Sequence, residues 1–294
     1  MSSQPQFVFE AIGTHWQIDI YKEYSEDDRS ALFESISQRI EEFDKNYSRF
    51  REDSLVTEIS KASGEYQLPD DAEQMFDVYK KLYDATDGHV TPLIGNLISD
   101  LGYDSQYTLK PKQELHEVPE WDNVMKITSN KVIVKDPVLI DTGAIGKGYL
   151  IDIVSELLES EGITSYTVDA GGDIRTRKAE KKPLRIGLEN PHNVKQVIGV
   201  IELFNQSICA SSGNRRAWGE YHHIINPYTK KSQNGILAVW VIADTTIIAD
   251  GIASALFFVN NEKVKHIAHY EYLILRDNFS IEKSDGFSAE LFIQ

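Results

Sequence analysis

Asp250 and Ser254 stand four residues apart in a stretch whose spacing predicts a helix, so the two side chains fall on one face, one above the other. A carboxylate and a hydroxyl placed this way can hold a hard cation through oxygen, the chemistry of Mg²⁺. The same pair also suits a first-turn Asp favoured by the helix dipole beside a small packing Ser. His222 and His223 precede Ile224-Ile225-Asn226-Pro227. Adjacent residues of a strand face opposite ways, so the two imidazoles cannot serve one metal. Ser211-Ser212-Gly213-Asn214-Arg215-Arg216 reads as a turn with two guanidiniums, which either meet a phosphate or are simply solvated.

The elements that must position these groups are arranged around Leu139–Tyr149. An apolar run (Val132–Val134, then Val138–Ile140) reads as a strand ending at Asp141. Gly143, Gly146 and Gly148 follow, then a helical pattern from Tyr149 that Gly162 ends. Strand, glycine turn and helix start bring backbone N–H groups toward a phosphate at a positive helix end. The spacing matches neither the P-loop nor GxGxxG, so a ligand turn and a purely structural turn both remain open.

Upstream, two short strands break at Gly13, and a helical stripe runs from Ser30 to Phe43. A short helix reaches Ile59, and another runs from Asp71 to Thr86 and closes at Asp87-Gly88. Residues 104–128 are polar and proline-bearing and read as a surface excursion. Ser165–Ala170 is a strand, so strand, helix and strand here predict a central βαβ unit. From Pro183 the pattern is strand-rich: 184–188, 197–204, 207–211, 221–225 and 237–243, with a helix from near Ile248 and closing strands at 267–275 and 291–293. The fold class is α+β, with no linker marking a boundary within residues 1–294.

A net charge of −16 argues against a nucleic-acid partner, which needs clustered Lys and Arg. No apolar run is long enough to span a membrane, and the start Met1-Ser2-Ser3-Gln4-Pro5 lacks the features of an export signal. The single cysteine, Cys209, reads as a small buried residue of a strand and fits a reducing compartment. The cytoplasm is therefore the expected location.

Taken together, these segments resemble the ApbE family of FAD:protein FMN transferases. Ala11-Ile12-Gly13-Thr14 is similar to the family's A-M-G-T, and Ser48–Ser54 to its S-x-[YF]-x-x-D-S. Val90–Tyr103 loosely resembles V-G-P-L-V-N-L-W-G-F, Asp141–Tyr149 resembles D-L-G-[GA]-I-A-K-G-Y, and Ala170–Ile174 resembles A-G-G-D-I. Ser211-Ser212-Gly213 is similar to an S-G turn, His223–Pro227 to H-I-I-D-P, and Ala249–Ala255 to A-D-A-L-A-T-A. The matches run in order over nearly the whole chain. Departures are Ile12 for Met, Gly146 for Ala, Asn226 for Asp, Ser254 for Thr, and Gly88-His89 where the family has P-T.

The resemblance implies an ApbE-like (T-fold-like) architecture and transfer of FMN from FAD to a Thr or Ser hydroxyl of a client flavoprotein, with release of AMP. It implies Mg²⁺ held by the Ala144 carbonyl, Asp250 and Ser254, and FAD contacts from Ile12, Phe50, Leu101, Gly102, Tyr103, Asp141, Lys147 and Ile225. Phe50 would offer a face to the isoalloxazine, and Lys147 a charge to phosphate or adenosine hydroxyls. His223 and Asp250 are the catalytic candidates, His223 as general base. An FAD pyrophosphatase giving free FMN and AMP stays open, as does a non-catalytic flavin-binding protein, which would have no need of a metal cage.

Overall fold

The computed structural model describes residues 7–21, 25–128, 130–178 and 182–292. The polar start at Met1–Pro5 and Ile293 of the expected closing strand lie outside the described residues. At the centre is an eight-stranded sheet. Its strands run in the order Phe7–Ala11, Thr14–Ile20, Tyr166–Ala170, Asp173–Arg177, Ser207–Ser212, Ile236–Ala243, Tyr270–Arg276 and Ile281–Lys283. Every neighbouring pair is antiparallel.

The two faces of this sheet can be read along Ile236–Ala243. Val239, Val241 and Ala243 join a core shared with the helices, while Ala238, Trp240 and Ile242 join a second core. That alternation follows the period of two in a strand. The second core is closed by a three-stranded sheet of Leu184–Asn190, Asn193–Leu203 and Glu290–Leu291. With apolar cover on both faces, a central strand reads as a continuous apolar run.

The four long helices pack into the first core: Glu26–Tyr47, Ala72–Ala85, Gly146–Ser160 and Thr246–Ala255. The first is longer than its Ser30–Phe43 stripe. Ser25 caps it by accepting the Asp28 N–H, and Glu26, Asp27 and Asp28 occupy its positive first turn. The helix Ala72–Ala85 stops at Asp87 and Gly88, with φ of 51° and 79°. The last helix starts at Thr246, so Asp250 sits beyond its first turn rather than within it.

The α+β class stands, but the expected βαβ unit does not form. Lys131–Val134 pairs with Gly64–Gln67 and Met125–Thr128 in a separate three-stranded sheet. Asp136-Pro137 breaks the run, since proline has no N–H to give a ladder. Val138–Ile140 is then irregular, and the Asp141 N–H bonds the Pro92 carbonyl at 2.7 Å. The helix Gly146–Ser160 thus connects two different sheets. The stretch 104–128 also differs, because its end folds as the helix Trp121–Val124 and the strand Met125–Thr128. The expected strand 221–225 divides into Tyr221–His222 and Ile225–Asn226, each pairing separately. At the C-terminus the strand is Glu290–Leu291, and Phe292 lies beyond it.

Candidate active site

The helices Gly146–Ser160 and Thr246–Ala255 meet at a glycine. A Cβ on Gly148 would lie 2.5 Å from the Thr246 carbonyl oxygen and 2.8 Å from the Asp250 Cβ, so only glycine permits this approach. The contact carries a bond, with the Gly148 N–H donating to Asp250 Oδ2 at 2.9 Å. One turn further along, Ser254 donates to the Ala144 carbonyl at 3.2 Å. The glycine turn before the helix therefore brings a main-chain oxygen beside the two side chains that share a helix face.

Tyr79 fixes that turn from below. Its hydroxyl donates to the Asp141 carbonyl at 3.2 Å and accepts the Ala144 N–H at 3.3 Å. Asp141 accepts the Gly143 N–H at 2.7 Å and, half-buried, forms an ion pair with the buried Arg49, which also donates to the Tyr103 carbonyl at 2.6 Å. Lys147 pairs with Asp173 at 2.6 Å, and Asp173 accepts the Ala210 N–H at 3.1 Å.

Arg49, Tyr79, Ala144, Lys147, Asp250 and Ser254 line one cavity of about 1010 Å³, at the upper end of small-molecule sites (~300–1,000 Å³), while Asp173 is buried behind its wall. Of the predicted site residues, Ile12, Phe50, Tyr103, Asp141, Ala144, Lys147, His223, Ile225, Asp250 and Ser254 all line it. Leu101 and Gly102 are not brought to it. Leu101 is fully buried in a separate apolar cluster, its carbonyl accepting the Trp218 indole N–H at 2.8 Å, and the Gly102 carbonyl accepts the Leu109 N–H. Phe50 is itself in aromatic company: Arg49 lies over its ring at 4.2 Å and Tyr107 stacks on it at 5.3 Å.

The two histidines separate because the strand ends at His222 and His223 lies in the bend before Ile225–Asn226. His222 bonds the Gln233 carbonyl through Nε2 at 3.0 Å, a structural role. His223 lines the cavity with its buried Nδ1 unpartnered. Burial first, then the charge of Arg216, pushes its pKa down to about 3, so the ring is neutral at ordinary pH. Arg215 and Arg216 both reach the cavity lining, although Arg215 is paired with Glu189 at 2.9 Å. Cys209 is fully buried, as its reading required, and burial pushes its thiol well up.

Burial, and after it the neighbouring Asp173, drives the Asp250 carboxyl well above the usual carboxylate range, with Lys147 opposing the shift. Burial works against the charge of Lys147, but Asp173 and Asp250 override it and its pKa is raised. A buried carboxylate in this condition favours a cation beside it. The Ala144 carbonyl, the Ser254 hydroxyl and Asp250 form an all-oxygen donor set that fits Mg²⁺, which commonly takes one or two carboxylates and completes its shell from substrate phosphates and water. Among the described residues no group of three His, Cys, Asp or Glu side chains is placed to hold a metal, so a cation here would rest on one carboxylate with hydroxyl and carbonyl oxygens.

Arg49, Tyr79 and Asp173 were not singled out from the sequence. Arg49 and Asp173 lie inside quoted motifs, which is the available signal, whereas Tyr79 lies within the helix expected over Asp71 to Thr86, with no motif around it.

The ApbE family model matches residues 12–274. An FAD:protein FMN transferase of Buchnera aphidicola is 27% identical, the match covering 95% of this chain and 86% of the relative. That of Haemophilus influenzae is 29% identical over 86% of this chain and 81% of the relative. The flavin transferase ApbE of Vibrio cholerae shares the fold with a TM-score of 0.79 at 24% identity, covering 96% of this chain and 97% of that one. The ApbE protein of Thermotoga maritima superposes with the same TM-score, 0.79, at 24% identity and the same coverage of 96% and 97%. With a family model covering the segments that build the cavity, the chain belongs to the ApbE family.

Proposed function

We propose that this chain is an FAD:protein FMN transferase that moves FMN from FAD to a Thr or Ser hydroxyl of a client flavoprotein, forming a phosphodiester and releasing AMP. The observation that carries this reading is that Ala144, Asp250 and Ser254 line the same cavity as Lys147, with the Ser254 hydroxyl on the Ala144 carbonyl and Asp173 behind Lys147. Bound there, Mg²⁺ would neutralise phosphate charge and hold the pyrophosphate in line for displacement.

The chain's own residues supply the rest. Lys147 presents a cation to the phosphates, held in place by Asp173. The client hydroxyl attacks the FMN phosphorus, its proton passes to a base, and the bond to the AMP phosphate breaks with its electron pair. His223 is the candidate acceptor because its ring lines the cavity and its Nδ1 is unpartnered; burial keeps it neutral but weakens it as a base, and the phosphate charge of bound FAD would act to raise its pKa again. The Arg49–Asp141 pair and Tyr79 keep the glycine turn in shape beneath the phosphates.

The test is incubation with FAD, Mg²⁺ and a candidate client, followed by intact mass. The client should gain the mass of an FMN phosphodiester while AMP appears in equal amount. Release of free FMN and AMP with an unmodified client would replace the transferase by a pyrophosphatase.

A further inference from the structure

We propose that Asp152 is a positioning residue for the metal-holding helix, fixing where Asp250 and Ser254 point. This rests on reading Ala144, Asp250 and Ser254 as the cation site. The helix Thr246–Ala255 begins without a cap of its own, since Thr245 at its N-cap makes no side-chain hydrogen bond. Its first amides are instead taken from the neighbouring helix. Thr246 N–H donates to Asp152 Oδ1 at 2.9 Å and Ile247 N–H to Asp152 Oδ2 at 2.8 Å.

Asp152 is only 2% exposed, and its ion pair with Arg175 compensates its charge. Both of its oxygens are engaged by the helix start, across about a quarter-turn of main chain. The Thr246 hydroxyl is held as well, 2.9 Å from the Ser207 hydroxyl.

The arrangement is reciprocal. Gly148 donates its N–H to Asp250, and four residues on, Asp152 accepts from the residue four before Asp250. Residues four apart share a helix face, so the two helices are joined at two points one turn apart. One point of attachment fixes a separation and leaves rotation free. Two in line fix the tilt and slide of the second helix, and the Ile247 N–H bond, about 100° round the helix from Thr246, fixes its roll and with it the direction of the side chains on its cavity face. Site geometry tolerates only about 0.5 Å or 10–20° of error, so a modest roll would misplace the carboxylate of Asp250 and the hydroxyl of Ser254 together. An ordinary cap would only stabilise the helix; this one is tied to the element that also carries Lys147.

The test uses Mn²⁺ as a spin probe for the cation site, titrated in the presence of FAD, with FAD binding measured separately in chelator. Asp152→Asn puts an amide NH₂ where one helix N–H must find an acceptor. Mn²⁺ should bind at least ~10-fold more weakly, the scale on which outer partners of metal sites act. FAD affinity in chelator should stay within about twofold. Leu158→Ala, a buried substitution on the same helix away from the tether, is the stability control and should leave Mn²⁺ affinity within about twofold. If Asp152→Asn does not fold, Asp152→Ser keeps one acceptor and carries the same expectation. Wild-type Mn²⁺ affinity in the folded Asp152 variant, or an equal loss in Leu158→Ala, overturns the positioning role. A wild-type protein that binds no Mn²⁺, or an Asp250→Asn variant that binds it normally, overturns the cation-site reading itself.

Discussion

Replacing Asp250 by Asn is the sharpest perturbation of the proposed site, because it removes charge while keeping shape. One carboxylate oxygen accepts the Gly148 N–H at 2.9 Å, and an Asn carbonyl can keep that bond. The amide NH₂ then faces the side where a cation would need an oxygen. The residue is 6% exposed and crowded by Asp173, so its charge is costly unless a cation accompanies it. Loss of the charge should therefore leave the metal-free fold about as stable as before and abolish the reason for binding metal. Turnover should fall at least ~10²-fold, equivalent to about 2.7 kcal/mol of lost transition-state stabilisation. The assay is AMP release against Mg²⁺ concentration for both proteins, with FAD binding in chelator as the control. An unchanged Mg²⁺ dependence in Asp250→Asn would refute the reasoning, and so would a large loss of FAD affinity without metal.

Three further outcomes follow from the same geometry. Burial holds His223 at about 3 against ~6.5 in an unfolded chain, so the unfolded state takes up the proton first. The stability this represents is fully present above pH ~6.5 and is lost as pH falls toward 3, at ~1.4 kcal/mol per pH unit; urea unfolding of His223→Gln across that window should show a slope shallower by that amount. Arg49→Met leaves the half-buried Asp141 on the cavity wall without its cation and should cost ~1–3 kcal/mol in chemical denaturation, while unchanged stability would mean the pair does not hold the turn. Gly148→Ala forces a methyl to 2.5 Å from the Thr246 carbonyl oxygen, so it should cost ~1–3 kcal/mol and weaken Mg²⁺-dependent turnover; wild-type values for both would show that the helices can part without consequence.

How far the sequence reveals this molecule depends on the range over which each feature is decided. The hairpin at Gly13, the helix ends at Gly88 and Gly162, and the central helix are settled by neighbouring residues, and the sequence read them closely. The partner of a strand is not a local property. Lys131–Val134 has the composition of a central strand, yet its partners are Gly64–Gln67 and Met125–Thr128. Nothing within the run distinguishes that sheet from the large one. The proline at 137 was the one local sign that the run could not continue to Ile140, and its significance lay in the N–H it does not have.

The candidate site divides along the same line. Asp250 and Ser254 were legible because helix spacing alone puts them on one face, and the glycines of the turn because close approach needs them. What completes the site is long-range pairing between charges. Arg49 meets Asp141 across 92 residues and Arg175 meets Asp152 across 23. A single Arg or Asp in a polar segment gives no sign of which opposite charge it will be buried against. Leu101 and Gly102 illustrate the converse, since the resemblance brought them toward the flavin while packing turned Leu101 onto Trp218. Resemblance transfers a segment as a block, but exposure to the cavity is decided one side chain at a time. Two of the predicted residues that line the cavity have their place fixed twice, by the local turn or helix and by a bond to another element. Asp250 is tied to Gly148, and Lys147 to Asp173.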